Sequence, residues 1–153
     1  MFKRALTLGY GVLAYTLFFA VFNYAIMFIG NIMVTPSLDS ISNSDLGLAL
    51  LIDIALLTAF ALQHSIMARP AFKRAWTKII PEPVERSTYV LASTLLLGCI
   101  LYFWQPLGGV LWRVTDPVAV SILYGLFTIG WGILFLASFQ RVLRPFNVAC
   151  YAL

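Results

Sequence analysis

No charged residue occurs between Arg4 and Asp39. That uncharged stretch is longer than the about 20 apolar residues a helix needs to cross a bilayer's hydrocarbon core. It restricts the fold severely. Water cannot satisfy backbone amides inside lipid, so a spanning segment of this kind has to be helical. Three further apolar runs follow it. Composition agrees: 61% of the 153 residues are hydrophobic and only 10% are charged, whereas soluble domains run near 45–50% and about 25%. The sequence predicts an all-α integral membrane protein with about four transmembrane helices, at roughly 6–34, 46–67, 87–104 and 118–139. Residues 1–153 are read as a single membrane domain, since this length leaves no room for a sizeable soluble one.

Charge placement sets the orientation. In a four-span arrangement Lys3, Arg4, Arg69, Lys73, Arg74, Lys78, Arg86, Arg141 and Arg144 all fall on one side, and only Arg113 falls on the other. Nine against one is a strong positive-inside asymmetry. It predicts cytoplasmic N and C termini in a multi-pass protein of the bacterial inner membrane. The same placement argues against nucleic acid as the partner of the +4 net charge; the partner is the lipid bilayer. The apolar stretch 5–38 is too long for a signal-peptide core and reads as a retained anchor. Tyr102, Trp104 and Trp112 sit where an aromatic belt belongs.

The one long connection, 68–86, is basic, and Phe72, Trp76, Ile79 and Ile80 recur at helical spacing within it. This predicts a short interfacial helix between spans two and three. Pro81 and Pro83 end it, and Ser87 or Thr88 then caps span three. Gly9, Gly11, Gly125, Gly130 and Gly132 read as close-packing positions. Cys99 reads as a small hydrophobe in an apolar run.

Polar groups inside spans are costly and mark candidate chemistry. Gln63-His64-Ser65, followed by Arg69, is the most unusual segment. His64 suits a base or a hydrogen-bond donor to substrate or cofactor; equally, Gln63 and His64 suit an interface where backbone, water or headgroups satisfy them. The chain has a single histidine, so no multi-histidine metal site can form within it, and no metal is expected. Asp53, some three turns from His64 on the same helix, needs a partner, with Asn23 and Tyr24 on span one as candidates. It serves either as an interhelical hydrogen bond or as a proton-relay group. Glu85 and Arg86 read either as a solvated pair at a helix start or as a grip on a polar cofactor or headgroup.

The stretch Leu62-Gln63-His64-Ser65-Ile66-Met67-Ala68-Arg69-Pro70-Ala71-Phe72-Lys73, then Trp76, Pro81 and Glu85-Arg86-Ser87-Thr88-Tyr89-Val90-Leu91, resembles the nurim/NnrU-like membrane proteins and, among them, the methanethiol S-methyltransferase branch. These are similar to isoprenylcysteine carboxyl methyltransferases. The resemblance implies a membrane-embedded enzyme that uses S-adenosylmethionine to convert methanethiol, a small thiol, to dimethyl sulfide. On that reading His64 is the catalytic candidate, and Arg69, Glu85 and Arg86 are the cofactor-binding candidates. The family places its cofactor site in a C-terminal half with an Arg-His-Pro segment and has five or more spans. This sequence has no Arg-His-Pro, and Arg144-Pro145 lacks the intervening histidine. Residues 140–153 also lose the membrane pattern, which suggests a truncated product. Two other readings stand beside the enzyme: a non-enzymatic NnrU/nurim-like protein accessory to nitrogen-oxide or respiratory metabolism, and a small oligomeric transporter built on Asp53.

Overall fold

The computed structural model describes residues 2–40, 45–108 and 112–150, with side chains from Arg4 to Ser138. Its elements are α1 (Phe2–Ile29), α2 (Leu46–Ala68), α3 (Pro70–Trp76), α4 (Glu82–Phe103) and α5 (Pro117–Cys150). Four of these contain segments long and apolar enough to cross a membrane: Arg4–Ile29, Leu46–Ala68, Glu82–Phe103 and Pro117–Ser138. The protein is therefore an all-α integral membrane protein with four spans, and α3 is the short helix expected between spans two and three. Two compact units are present, Met1–Gly109 and Val110–Leu153.

In the first unit α4 packs against both α1 and α2, and α3 packs against α2. Few side chains are buried, because most apolar positions face lipid and gain nothing by leaving it. The tightest cluster is Ala25, Phe28 and Leu101, with Val21, Tyr24, Leu97 and Trp104 packed around it. Phe28 meets Trp104 edge to face, with ring centroids 6.5 Å apart. Gly11 packs against another helix: a Cβ there would lie 3.4 Å from Ser87 Oγ. At Gly9 a Cβ would meet nothing within 4 Å, so the close packing expected there is not seen, whereas Gly125, Gly130 and Gly132 lie on the helix of the second unit.

Helix ends follow local chemistry and shift three expected boundaries; α3 ends at Trp76, short of Ile79 and Ile80, and Pro81 and Pro83 open α4 instead of closing α3. α1 stops at Ile29 instead of running to Val34. Asn31 adopts a left-handed backbone, φ 52°, and its amide nitrogen donates to Asp39 Oδ2 at 2.6 Å while its Oδ1 accepts from the Asp39 N–H. Asparagine tolerates that conformation where a β-branched residue does not. Asn31→Val is expected to lower unfolding stability by about 1 kcal/mol, with Asn31→Gly losing less; thermal unfolding in detergent would check it, and equal stability of all three would refute the role.

α4 starts at Glu82, earlier than the expected Ser87. Proline is tolerated in a first turn because its missing N–H would be unpaired there anyway. Pro81 is the N-cap, Pro83 follows inside the first turn, and Glu82 and Glu85 suit the positive helix start. Ser87 and Thr88 are consequently interior residues, not caps. Ser87 is buried toward Gly11, and Thr88 Oγ1 accepts from Tyr10 Oη at 3.1 Å and donates to the Val84 carbonyl. At the other junction Pro70 pushes Arg69 into extended backbone, ψ 139°, so α2 ends and α3 begins there.

The second unit is α5, opened by Asp116. Its Oδ1 accepts from the Ala119 N–H at 2.8 Å, with Pro117 as the first helical residue. The backbone is helical through Cys150. Within 140–153, the stretch read as a loss of membrane pattern, the side chains lie outside the described residues.

Candidate functional site

Gln63 and His64 lie near the end of α2, on the side that meets α4. Tyr89 and Ser93 are one turn apart on α4 and share a helix face. The crossing of these two helices brings all four together. Tyr89 Oη lies 3.1 Å from His64 Nδ1 and 3.0 Å from Nε2. Ser93 Oγ lies 3.3 Å from His64 Nδ1 and donates to Gln63 Oε1 at 3.2 Å. The Gln63 amide nitrogen in turn donates to Met67 Sδ at 3.0 Å. Phe60, one turn before His64, stacks on the imidazole with centroids 5.4 Å apart and planes 22° apart. His64 is thus held by hydrogen bonds and by an aromatic face, yet it remains exposed. An accessible imidazole in an apolar setting can take or deliver a proton.

The sequence singled out His64 but gave no sign that Tyr89 and Ser93 are its partners. Tyr89 lay inside the segment that carried the resemblance, and Ser93 was a hydroxyl in an apolar span. Neither signal says which face of α4 meets α2.

Arg69 closes α2, and Glu85 and Arg86 lie in the first turns of α4, so these three share the helix-end edge with His64. Glu85 is mostly buried, and its Oε1 lies 3.8 Å from Lys73 Nζ on α3. Lys73 is nearly half exposed at 46%, so water screens the pair and it contributes at most about 1 kcal/mol. Its main effect is to tether α3 to the start of α4. Arg69 and Arg86 are exposed. Guanidinium forks pair with carboxylates and a carboxylate pairs with an ammonium. Among the described residues no group of three or more His, Cys, Asp or Glu side chains could hold a metal ion.

Asp53 does not join this cluster. It is 4% exposed, and its Oδ1 accepts from the backbone N–H of Gln105, just past the far end of α4, at 2.9 Å. The partner is neither Asn23, whose amide donates to its own helix at the Phe19 carbonyl, nor Tyr24, which packs on Phe28. Those candidates sat on α1, whereas α4 is the helix that packs beside α2. A separate apolar cleft of about 300 Å³ lies between α1 and α4, lined in part by Leu17, Val21, Thr94, Gly98 and Cys99. Cys99 there packs as a small apolar group.

Several methanethiol S-methyltransferases match the chain. The protein so named from Crocosphaera subtropica is 48% identical over 137 residues, which is 90% of this chain and 54% of that protein. The one from Mycobacterium tuberculosis is 39% identical over 138 residues, again 90% of this chain and 57% of its own length. Nurim from Xenopus laevis is 35% identical over 115 residues, 69% of this chain and 39% of its own. The chain thus spans about half the length of the methyltransferases it matches. No protein-family model matches it, and no solved structure does. Several methyltransferases align along nine-tenths of the chain and nurim along a shorter part of it, so over the shared segment the chain is similar to the methanethiol S-methyltransferases and, more distantly, to nurim.

Proposed function

We propose that the chain is part of a membrane methyltransferase of the methanethiol S-methyltransferase type, converting methanethiol to dimethyl sulfide. The observation that carries this reading is the alignment of nine-tenths of the chain with proteins of that name at up to 48% identity. The geometry around His64 supports it. A thiol is a weak nucleophile until it loses its proton, and an exposed, hydrogen-bonded imidazole at a helix crossing can take that proton. S-adenosylmethionine, when bound, supplies an activated methyl group. Arg69 or Arg86 would hold its carboxylate, and Glu85 its ammonium. The positive-inside asymmetry of nine basic residues to one supports placing this edge on the cytoplasmic side of the inner membrane.

A chimera tests the reading. In the Crocosphaera subtropica relative, the aligned segment is replaced by this chain's residues, and the headspace above membranes supplied with methanethiol and S-adenosylmethionine is assayed for dimethyl sulfide. Formation above the level of empty membranes is expected. A chimera that reaches the membrane in normal amount yet forms none would overturn the enzyme reading. The similarity to nurim would then favour a non-enzymatic membrane protein.

A further inference from the structure

We infer that Gln63 and Ser93 act as positioning residues that lock His64 in the Nδ1–H tautomer and so leave Nε2 as the nitrogen that takes the substrate proton. The tautomer follows from counting hydrogens around the ring. The chain of bonds starts at Met67. Its sulfur can only accept, so the Gln63 amide must turn its nitrogen toward it, at 3.0 Å. That fixes Gln63 Oε1 toward Ser93. An amide turned the other way would set oxygen against sulfur with no hydrogen between them.

Ser93 has one hydroxyl hydrogen, and Gln63 Oε1 takes it at 3.2 Å. Toward His64 Nδ1, 3.3 Å away, the serine oxygen then presents a lone pair. A bare Nδ1 there would set lone pair against lone pair, so Nδ1 carries the hydrogen. In neutral imidazole the other nitrogen is then unprotonated. Tyr89 by itself does not decide between the two forms. Its hydroxyl is almost equidistant from both nitrogens, at 3.1 and 3.0 Å, and lies in the lone-pair direction of neither. Phe60, stacked on the ring with centroids 5.4 Å apart, and Tyr89, tilted 42° to it, restrain the imidazole.

The role in proton transfer rests on the proposed function; the tautomer does not. When a thiol gives its proton to Nε2, the S–H bond breaks, an Nε2–H bond forms, and thiolate and imidazolium result. Ser93 accepts from Nδ1–H both before and after, so the Ser93–Gln63–Met67 chain need not rearrange during the step. A thiol reaching Nε2 does so beside the Tyr89 hydroxyl.

The single histidine makes this measurable without any substrate. The full chain, labelled with ¹⁵N-histidine and held in detergent micelles at a pH that keeps the ring neutral, gives one imidazole pattern by NMR. The expected wild-type pattern is protonated Nδ1 and bare Nε2, the minority form of a free histidine side chain. Gln63→Leu releases the Ser93 hydrogen to donate to Nδ1, and it is expected to switch the ring to Nε2–H. Ser93→Thr keeps the hydroxyl and is expected to keep the wild-type form. A wild-type ring protonated at Nε2 overturns the inference outright, whatever the variants do; so does a folded Gln63→Leu variant with an unchanged tautomer. An inactive chimera alongside a confirmed Nδ1–H ring would remove the catalytic role and leave the assignment standing.

Discussion

His64→Gln, placed in the active chimera, is expected to lower kcat/KM for methanethiol by about 10²–10⁴-fold at neutral pH, the usual range for losing a general base. Glutamine preserves polarity and approximate length but cannot take a proton. Membrane yield should therefore be close to that of the parent. The pH profile separates a chemical role from a packing one. Thiols ionise on their own in alkaline solution, cysteine near pH 8.5, and a substrate that is already thiolate needs no base. The deficit should narrow steadily as pH rises. A deficit that stays constant from neutral to alkaline pH, or a matching loss of membrane-inserted protein, would assign His64 to packing.

The second large effect is on stability. Asp53→Leu is expected to destabilise the protein by about 1–3 kcal/mol, the usual penalty for removing one partner of a buried hydrogen bond. The Asp53 carboxylate accepts the Gln105 N–H at 2.9 Å, and leucine would remove that acceptor where water is scarce. Asp53→Asn keeps the Oδ1 acceptor and should stay within about 1 kcal/mol of the parent. Both can be measured by unfolding in mixed micelles. The sign is a genuine test, because removing a buried charge can also stabilise, and Asp53 Oδ2 is buried without a partner. A leucine variant as stable as the parent would mean that the carboxylate does not fasten α2 to the end of α4. An Asp53-dependent ion flux in liposomes would then return the transporter reading to contention. No such flux is expected from a side chain that caps a neighbouring backbone.

Backbone physics explains what was legible in advance. Lipid forces every spanning amide into a helix, so the uncharged stretch after Arg4, and the three that follow, specify spans without tertiary information. Proline and charge likewise marked the 68–86 segment, and α3 lies within it. The boundaries were less legible. Val34 falls outside α1 because Asn31 and Asp39 form a local lock, and that depends on two side chains eight positions apart closing on each other. Ser87 looked like a cap because serine usually is one, whereas Pro81 and Pro83 had already opened the helix.

The candidate site divides in the same way. By itself the sequence determined that His64 is the chain's one imidazole, that it lies inside a span and that arginines flank the same membrane edge, because these are statements about identity and helical register. Only the tertiary structure decided that Tyr89 and Ser93 meet His64, and that Asp53 reaches Gln105 and not Asn23. Helices in lipid gain little from burying one apolar face over another, since lipid tails are as apolar as leucine. Hydropathy therefore leaves helix rotation and neighbour order undetermined. Those are set by small-residue contacts such as Gly11 with Ser87 and by interhelical hydrogen bonds such as Tyr10 with Thr88, which exist only once the helices have packed.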